Sequence, residues 1–403
     1  MFYSMRSLNF YTAITCVVLF WGCNQKSTDT LFQPVNNSGI SFENTIESTD
    51  QNNVFKYRNF YNGGGVAAGD LNNDGLPDVF FTANNGNNKL FLNKGSFQFE
   101  DITTKAGLNN TGRWSTGIVF VDINADGWLD IYVCNAGNML QPVLRRNQLY
   151  INNKNLTFTE QAAAYGLDND GYTTHASFFD YDLDGDLDCF MVNNSPMPVN
   201  TFNYANMRDL PADQWEVKDF LKGGGDHFYK NENGKFTEVT KQVGLHGSLI
   251  SLGLGVTVGD VNGDHFPDVY VSNDFFERDY LYINQQNGTF KDAFEQWIQH
   301  GSLSSMGADM NDINNDGYPD IFTTDMLPDD DYRLKANSSF DSYEVFQQKI
   351  NLGFYYQFTQ NALQVNNRNG KFMETAFLSG VAASDWSWGA LLFDADNDGL
   401  TDI

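Results

Sequence analysis

Basic residues are scarce in this chain. Its 403 residues carry 24 Lys and Arg against 51 Asp and Glu, a formal net charge of −27 at pH 7. With no basic patch to neutralise phosphates, nucleic acid and anionic membrane surfaces are excluded as partners. Cysteine is nearly absent too: Cys16, Cys23, Cys134 and Cys189 include no C-x-x-C pair, which leaves zinc and dithiol redox sites without support. Cys134 and Cys189 fall at different offsets in successive repeats and are expected to be buried free thiols. The five histidines (His175, His227, His246, His265 and His300) are scattered, and no G-x-S-x-G, H-E-x-x-H or Walker loop is present. No helix-period segment of convincing length interrupts the chain, and amphipathic helix is possible only inside two insertions. What remains is 41% hydrophobic and 15% aromatic residues, enough for a real core, and 36 glycines, which imply many turns.

The acidic excess is not diffuse. Asp70-Leu71-Asn72-Asn73-Asp74-Gly75-Leu76-Pro77-Asp78 reads D-x-N-x-D-G-x-x-D, with side-chain oxygens at positions 1, 3, 5 and 9. The pattern returns at Asp122, Asp180, Asp260, Asp312 and Asp394, at separations of 52, 58, 80, 52 and 82 residues. A period near 52 points to a propeller or solenoid. Each unit supplies one β-type run before the loop and one after it. A third run follows (Lys89-Leu90-Phe91-Leu92-Asn93 in the first unit), then a fourth (Phe97 to Ile102), with Asn, Gly and Asp between them. Four strands per unit in series predict an all-β propeller of four-stranded blades: five complete and a sixth started, with seven in a full ring. Leu31-Phe32-Gln33-Pro34-Val35 has the pattern of the fourth run and is expected to be the outer strand of the last blade. The sixth loop is followed by Ile403 alone, so the reading is of a propeller cut short at its C-terminal end.

Residues 1–22 contain Arg6 and an apolar run from about Leu8 to Phe20, too short for a membrane span and placed where a signal peptide belongs. Gly22-Cys23 resembles the end of a lipobox, which makes Cys23 the lipidation site and 23–30 a tether. The propeller then occupies 31–403, with insertions at about 194–226 and 325–360. On this reading the protein is exported, as an outer-membrane or cell-surface lipoprotein; the alternative is a secreted or periplasmic protein.

The loops suit a hard cation. Calcium takes six to eight oxygens in relaxed geometry, whereas magnesium keeps more of its water. Positions 1, 3 and 5 can aim three oxygens at one centre, position 9 returns with another, and a backbone carbonyl near position 7 is expected to contribute. An EF-hand would need Glu at position 12 and flanking helices. Here position 12 is Phe81, Val133, Met191, Val271 and Thr323, and the flanks are strand-like. The bland alternative is a set of Asp- and Asn-rich hairpin turns without metal; six such turns with the same carboxylate positions favour calcium.

These residues resemble the FG-GAP/VCBS repeats of integrin-α-like propellers. The nearer likeness, carried by Gly65-Val66-Ala67-Ala68-Gly69-Asp70, Phe97 to Ile102, Ala106-Gly107-Leu108 and Asp325-Met326-Leu327-Pro328, is to bacterial surface proteins of the ASPIC/UnbV type, related to cartilage acidic protein. The resemblance implies Ca2+ as cofactor, held by Asp70, Asn72, Asp74 and Asp78, then by Asp122, Asn124, Asp126 and Asp130. It implies Asp180, Asp182, Asp184 and Asp188 in the third loop and Asp260, Asn262, Asp264 and Asp268 in the fourth. Asp312, Asn314, Asp316 and Asp320 serve the fifth, and Asp394, Asp396, Asp398 and Asp402 the sixth. The fourth loop has His265 where glycine is expected, and positive φ costs His more than Gly, so this site should bind more weakly.

The resemblance also implies adhesion or recognition without fixing a ligand. Both insertions follow a second run, so they are expected on the face opposite the loops. They are rich in aromatics: Phe202, Tyr204, Trp215 and Phe220 in one, and Tyr332, Tyr343, Phe346, Phe354, Tyr355, Tyr356 and Phe358 in the other. Long loops on a rigid scaffold commonly carry binding. A protein or glycan partner on this face is one reading, and aromatics that merely pack the insertions down is the other. The chain is expected not to be an enzyme. The alternative is a polysaccharide lyase or hydrolase with a site in the central channel, where His175 begins an inner-strand segment.

Overall fold

The computed structural model describes residues 31–50, 52–108, 112–196, 207–338 and 341–403. The expected signal peptide, Cys23 and tether lie outside these residues, as do Phe202 and Tyr204. Internal contacts divide the chain between Ser38 and Gly39. In the first unit the described residues form bends and turns. Leu31–Val35 is therefore not the expected strand: Pro34 has no N–H for a ladder, and strand propensity is realised only against a neighbouring strand. Among the described residues no helix is long and apolar enough to cross a membrane.

The second unit contains five four-stranded antiparallel sheets, each in simple up-and-down order. Blade one comprises β1 (Val66–Gly69), β2 (Asp78–Phe81), β3 (Lys89–Asn93) and β4 (Phe99–Asp101). Blade two comprises β5 (Trp114–Val121), β6 (Asp130–Ala136), β7 (Gln148–Asn152) and β8 (Phe158–Glu160). Blade three follows with β9 (Thr173–Phe179), β10 (Asp188–Asn193), β11 (His227–Asn231) and β12 (Phe236–Glu238). Blade four has β13 (Gly253–Gly259), β14 (Asp268–Asn273), β15 (Tyr280–Asn284) and β16 (Phe290–Asp292). A short parallel pair, β17 (Gly301–Ser302) with β20 (Gln357–Phe358), flanks blade five, which is β18 (Ala308–Asn311), β19 (Asp320–Thr323), β21 (Ala362–Asn366) and β22 (Phe372–Glu374). This is an all-β propeller array.

The sequence explains the layering. Second strands such as Ile131-Tyr132-Val133-Cys134 are apolar without alternation because both faces of a blade are covered by neighbours, and β6, β10 and β14 are buried along their whole length. The core accordingly lies between blades. Tyr132, Cys134, Leu149 and Ile151 of blade two meet Cys189, Met191, Tyr229 and Phe236 of blade three, and the other blade pairs repeat this arrangement. Each fully buried large apolar side chain contributes roughly 1.5–3 kcal/mol. Cys134 and Cys189 are buried free thiols in this layer, as expected, and burial pushes both thiols well up.

First strands of successive blades lie against one another, which makes them the inner strands. β5 and β9 approach so closely that a Cβ on Gly117 would sit 2.5 Å from the Thr174 carbonyl oxygen. The leading ends of β1, β5, β9 and β13, with Met306 just before β18, line a cavity of about 490 Å³, His175 among its residues.

A single helical turn follows the fourth strand in four blades: Thr103–Ala106, Ala162–Tyr165, Phe294–Trp297 and Ala376–Ser379. The acidic residue of the fourth run starts each turn. Asp101, Glu160, Asp292 and Glu374 accept from the backbone N–H two residues on, at 2.7–3.1 Å.

Candidate metal centres

Every loop joins the first strand of a blade to its second, and position 9 is the first residue of that second strand. The ladder closes on it: Gly69 pairs with Asp78, Val121 with Asp130, Phe179 with Asp188, Gly259 with Asp268 and Asn311 with Asp320. The sixth loop closes on one bridge, Phe393 to Asp402.

Inside the loop the position-1 carboxylate turns back onto the chain. Asp70 Oδ1 accepts from Asp74 N–H at 3.1 Å and Oδ2 from Gly75 N–H at 2.7 Å. The same pair of bonds, to positions 5 and 6, recurs at Asp122, Asp180, Asp260, Asp312 and Asp394. Position 5 caps position 7 in turn, as in Leu76 N–H to Asp74 Oδ1 at 2.9 Å. Position 3 contributes Asn72, Asn124, Asn262 and Asp396 oxygens that accept from the position-5 N–H at 2.9–3.1 Å.

Two positive-φ residues make the turn possible. Position 6 is glycine in five loops, and position 4 is Asn73, Ala125, Leu183, Asn315 or Asn397 in the same five, at φ of 54° to 62°. The second requirement was not legible, because alanine and leucine give no sign of it. The fourth loop inverts the arrangement: Gly263 takes position 4 at φ 75° and His265 takes position 6 at φ 71°. A Cβ on Gly263 would lie 2.9 Å from the Tyr318 ring of the next loop, so glycine is required there and histidine bears the strain instead.

Position 9 is the buried carboxylate. Asp78, Asp130, Asp188, Asp268 and Asp320 each accept from two backbone N–H groups: position 2 of the loop at 3.0–3.3 Å, and the Asn that ends the third strand at 2.7–2.8 Å. Burial pushes all five upward, Asp130 to about 6 and Asp188 and Asp268 to about 7, although these N–H groups oppose it. In each loop, carboxylates at nearby positions add to the rise. At Asp70 burial also pushes up, but the N–H groups of Gly75, Asp74 and Asn72 outweigh it and leave the carboxyl below its ordinary value.

The Asn that ends the third strand is a position whose role sequence reasoning missed. Asn152 Nδ2 donates to Leu71 O in the preceding blade's loop at 2.8 Å, Asn284 Nδ2 to Tyr181 O at 2.8 Å, and Asn366 Nδ2 to Val261 O at 2.8 Å. Its recurrence in Asn93, Asn152, Asn231, Asn284 and Asn366 was the available signal.

The donor set is wholly oxygen, which suits a hard divalent cation rather than zinc. Carboxylate oxygens of Asp180, Asp182 and Asp188 converge within 4.8 Å of one another, and those of Asp394, Asp396 and Asp398 do the same. Asp182 Oδ1 is buried without a hydrogen-bond partner. These residues fit a calcium ion.

The opposite face is built from the connections between second and third strands, including the described residues 194–196, 207–226, 324–338 and 341–361. Its aromatics divide sharply. Trp215 is 2% exposed, packs with Ala212, Leu249 and Ile250, and donates from Nε1 to Leu210 O at 3.0 Å. Phe354 is fully buried. These two rings bear out the reading in which the aromatics pack the insertions down. In the second insertion Tyr332, Tyr343, Tyr356 and Phe358 are 79%, 72%, 45% and 42% exposed. Phe346 stacks on Phe358 at 5.9 Å and lies 6.5 Å from Tyr356. Two helices carry part of this surface, Asp331–Asn337 and Tyr343–Asn351, each capped at its N-terminus by Asp330 or Ser342.

The histidines sit apart. His227 lies 3.8 Å from Glu238, His246 lies between Asp209 at 3.2 Å and Asp292 at 3.5 Å, and His300 lies 3.9 Å from Glu374. Burial pushes His175 down, and its Nδ1 is buried without a hydrogen-bond partner.

The FG-GAP-like repeat family matches residues 70–133 and 260–323, each match beginning at position 1 of a loop and ending in the following second strand. Cartilage acidic protein 1 of Xenopus tropicalis is 31% identical over 137 residues, 34% of this chain and 20% of that protein. The Homo sapiens protein of the same name is 36% identical over 76 residues, 19% of this chain and 12% of that protein. The chain thus aligns with a fifth or less of the length of these relatives. Among solved structures, an Agrocybe aegerita lectin that recognises non-reducing terminal N-acetylglucosamine aligns with a TM-score of 0.38 and 14% identity, over 76% of this chain and 64% of that one. The V. cholerae biofilm matrix protein aligns with a TM-score of 0.33 and 11% identity, over 77% and 38%. Residues 70–133 and 260–323 of this chain are thus FG-GAP-like repeats, set on the loops of its four-stranded units.

Proposed function

We propose that this chain is a calcium-stabilised recognition module of the cell exterior, held to the membrane through Cys23, which takes a protein or glycan partner on the exposed aromatic surface of its second insertion. The observation that carries the reading is the division of the aromatics. Trp215 and Phe354 anchor the insertions, which leaves Phe346, Tyr356 and Phe358 grouped at a partly open surface, with Tyr343 exposed on the same helix as Phe346. Exposed rings gathered on one long connection suit stacking on sugar faces or burial in a protein interface. Calcium is held by positions 1, 3, 5 and 9 of the loops. When bound it neutralises carboxylates that otherwise repel one another. The loops themselves hold the turn, through the bonds from positions 5 and 6 to position 1, and close the ladder through position 9.

The test is a glycan and cell-surface protein array probed with the calcium-loaded protein and with a Tyr343→Ala, Tyr356→Ala, Phe358→Ala variant. Recognition predicts loss of binding in the variant by an order of magnitude or more with melting unchanged; binding retained in full would remove this surface from the proposal. Chelation should lower the melting temperature markedly, and no shift would remove the metal. Release of products from any polysaccharide in the same screen would favour the lyase or hydrolase alternative.

A further inference from the structure

The third loop differs from the others in what faces it. The residue before the terminal Asn of the third strand is Leu92, Ile151, Ile283 or Val365 in the other four blades, all set in the apolar layers between blades. In blade three it is Lys230. Its ammonium lies 2.5 Å from Asp182 Oδ2 and 3.8 Å from Asp184 Oδ2, and 5.7 Å from the centre of the Tyr181 ring. The ion pair is sheltered, with 26% of the lysine side chain and 19% of the aspartate side chain exposed.

The loop is matched to this lysine. Position 3 is Asn72, Asn124, Asn262 and Asn314 in the other loops of complete blades but Asp182 here, and Asp186 adds a carboxylate at position 7. Cationic groups also approach the second and fifth loops, but differently. Lys154 reaches Asp126 at 3.3 Å and Arg368 reaches Asp316 at 3.1 Å, both at position 5 from half-exposed turns between third and fourth strands. Lys230 comes from inside the sheet to the position-3 oxygen, where a metal ligand is called for.

We infer that the third loop carries its own cation: Lys230 pairs with Asp182, offsets part of the charge that Asp182 and Asp184 share, and lets this loop keep its fold without calcium. The inference builds on the calcium reading of the other loops, yet its central claim, that the lysine clamps the loop, holds independently of it. An ammonium supplies one charge and hydrogen bonds to a carboxylate at short range, so it can hold the position-3 carboxylate in place and supply part of the charge of a divalent ion without its coordination shell.

The test is hydrogen exchange of the full chain, read peptide by peptide with and without chelator, on the native protein and on Lys230→Gln. In the native protein, amides of 181–188 are expected to keep their protection on chelation while those of 71–78, 123–130, 261–268 and 313–320 lose theirs. In Lys230→Gln, 181–188 should lose protection in chelator as the others do. Bound calcium counted by mass spectrometry should be at least as high in the variant as in the native protein. Equal loss of protection in all five loops of the native protein would overturn the inference. So would undiminished protection of 181–188 in Lys230→Gln, or loss of one calcium from that variant, which would make the lysine a support of the metal. If the native protein binds no calcium at all, the calcium reading fails alone, and loss of protection confined to 181–188 in Lys230→Gln still establishes the clamp.

Discussion

One residue before each third strand, a side chain caps the end of the second strand. Asn88, Asn147, Asp226, Asp279 and Asn361 accept from the backbone N–H of Ala83, Asn135, Asn193, Asn273 and Asp325 at 2.8–3.3 Å. The other half of each side chain meets a hydroxyl of the chain that follows: Ser115, Thr173, Ser251, Ser305 and Ser384. Asparagine donates to that hydroxyl, whereas aspartate must accept from it. In blades three and four the carboxyl is fully buried, and burial pushes Asp226 and Asp279 to about 7. An unfolded aspartate titrates near 4, so between about pH 4 and 7 the folded state holds protons that the unfolded state has lost. The stability from the neutral carboxyl is complete below the unfolded value and is lost as pH rises through the folded one. Asp226→Asn, which installs the residue of blades one, two and five, should therefore stabilise the protein at pH 8 by about 2 kcal/mol and change little at pH 4. Urea unfolding of both proteins at the two pH values measures this, and an equal shift at both would refute it.

At the scale of the element, blades two, four and five are each joined to the one before by the amide of the Asn that ends the third strand, as well as by other side-chain hydrogen bonds and apolar packing. Asn284 Nδ2 donates to Tyr181 O at 2.8 Å and to Pro267 O at 3.3 Å, while its backbone N–H serves Asp268. Asn284→Ala deprives two carbonyls of their donor in a buried layer and should cost about 1–3 kcal/mol in chemical unfolding. Asn93→Ala, whose Nδ2 serves Pro77 O of its own blade, should cost less. A result with the two variants equal would separate the amide from blade joining. The strands were legible because each blade must complete its own backbone ladder from consecutive runs, so the periodicity lies in one stretch of sequence. The loops were legible for the same reason. Contacts across blades were not: Asn284 and Tyr181 stand 103 residues apart, and no local pattern connects them. Nor does composition reveal which aromatics face inward; Trp215 and Tyr343 look alike in sequence, yet one is core and the other is surface.

Across the molecule, rigidity must pass from the blades to the long connections on the far face. Arg208, in the connection of blade three, makes that link. Its Nε lies 2.6 Å from Glu277 Oε1 in the connection of blade four, and a terminal nitrogen donates to Gly353 O in the connection of blade five at 2.7 Å. The guanidinium also lies over the Phe354 ring at 5.8 Å. Glu277 is fully buried, so its charge depends on this partner. Removing one member of a buried pair leaves the other uncompensated and costs about 3–5 kcal/mol, whereas replacing both by apolar residues is often neutral. Arg208→Ala should therefore expose residues 331–352 to limited proteolysis and abolish binding at the Tyr343, Tyr356 and Phe358 surface, although Arg208 is not part of it. The proposed calcium content of the loops on the opposite face should be unchanged. Arg208→Met with Glu277→Leu should restore protease resistance, because both buried charges are gone and their volume is kept. Protease resistance retained in Arg208→Ala would show that the second insertion is held by its own contacts, and the surface would then owe its order to blade five alone.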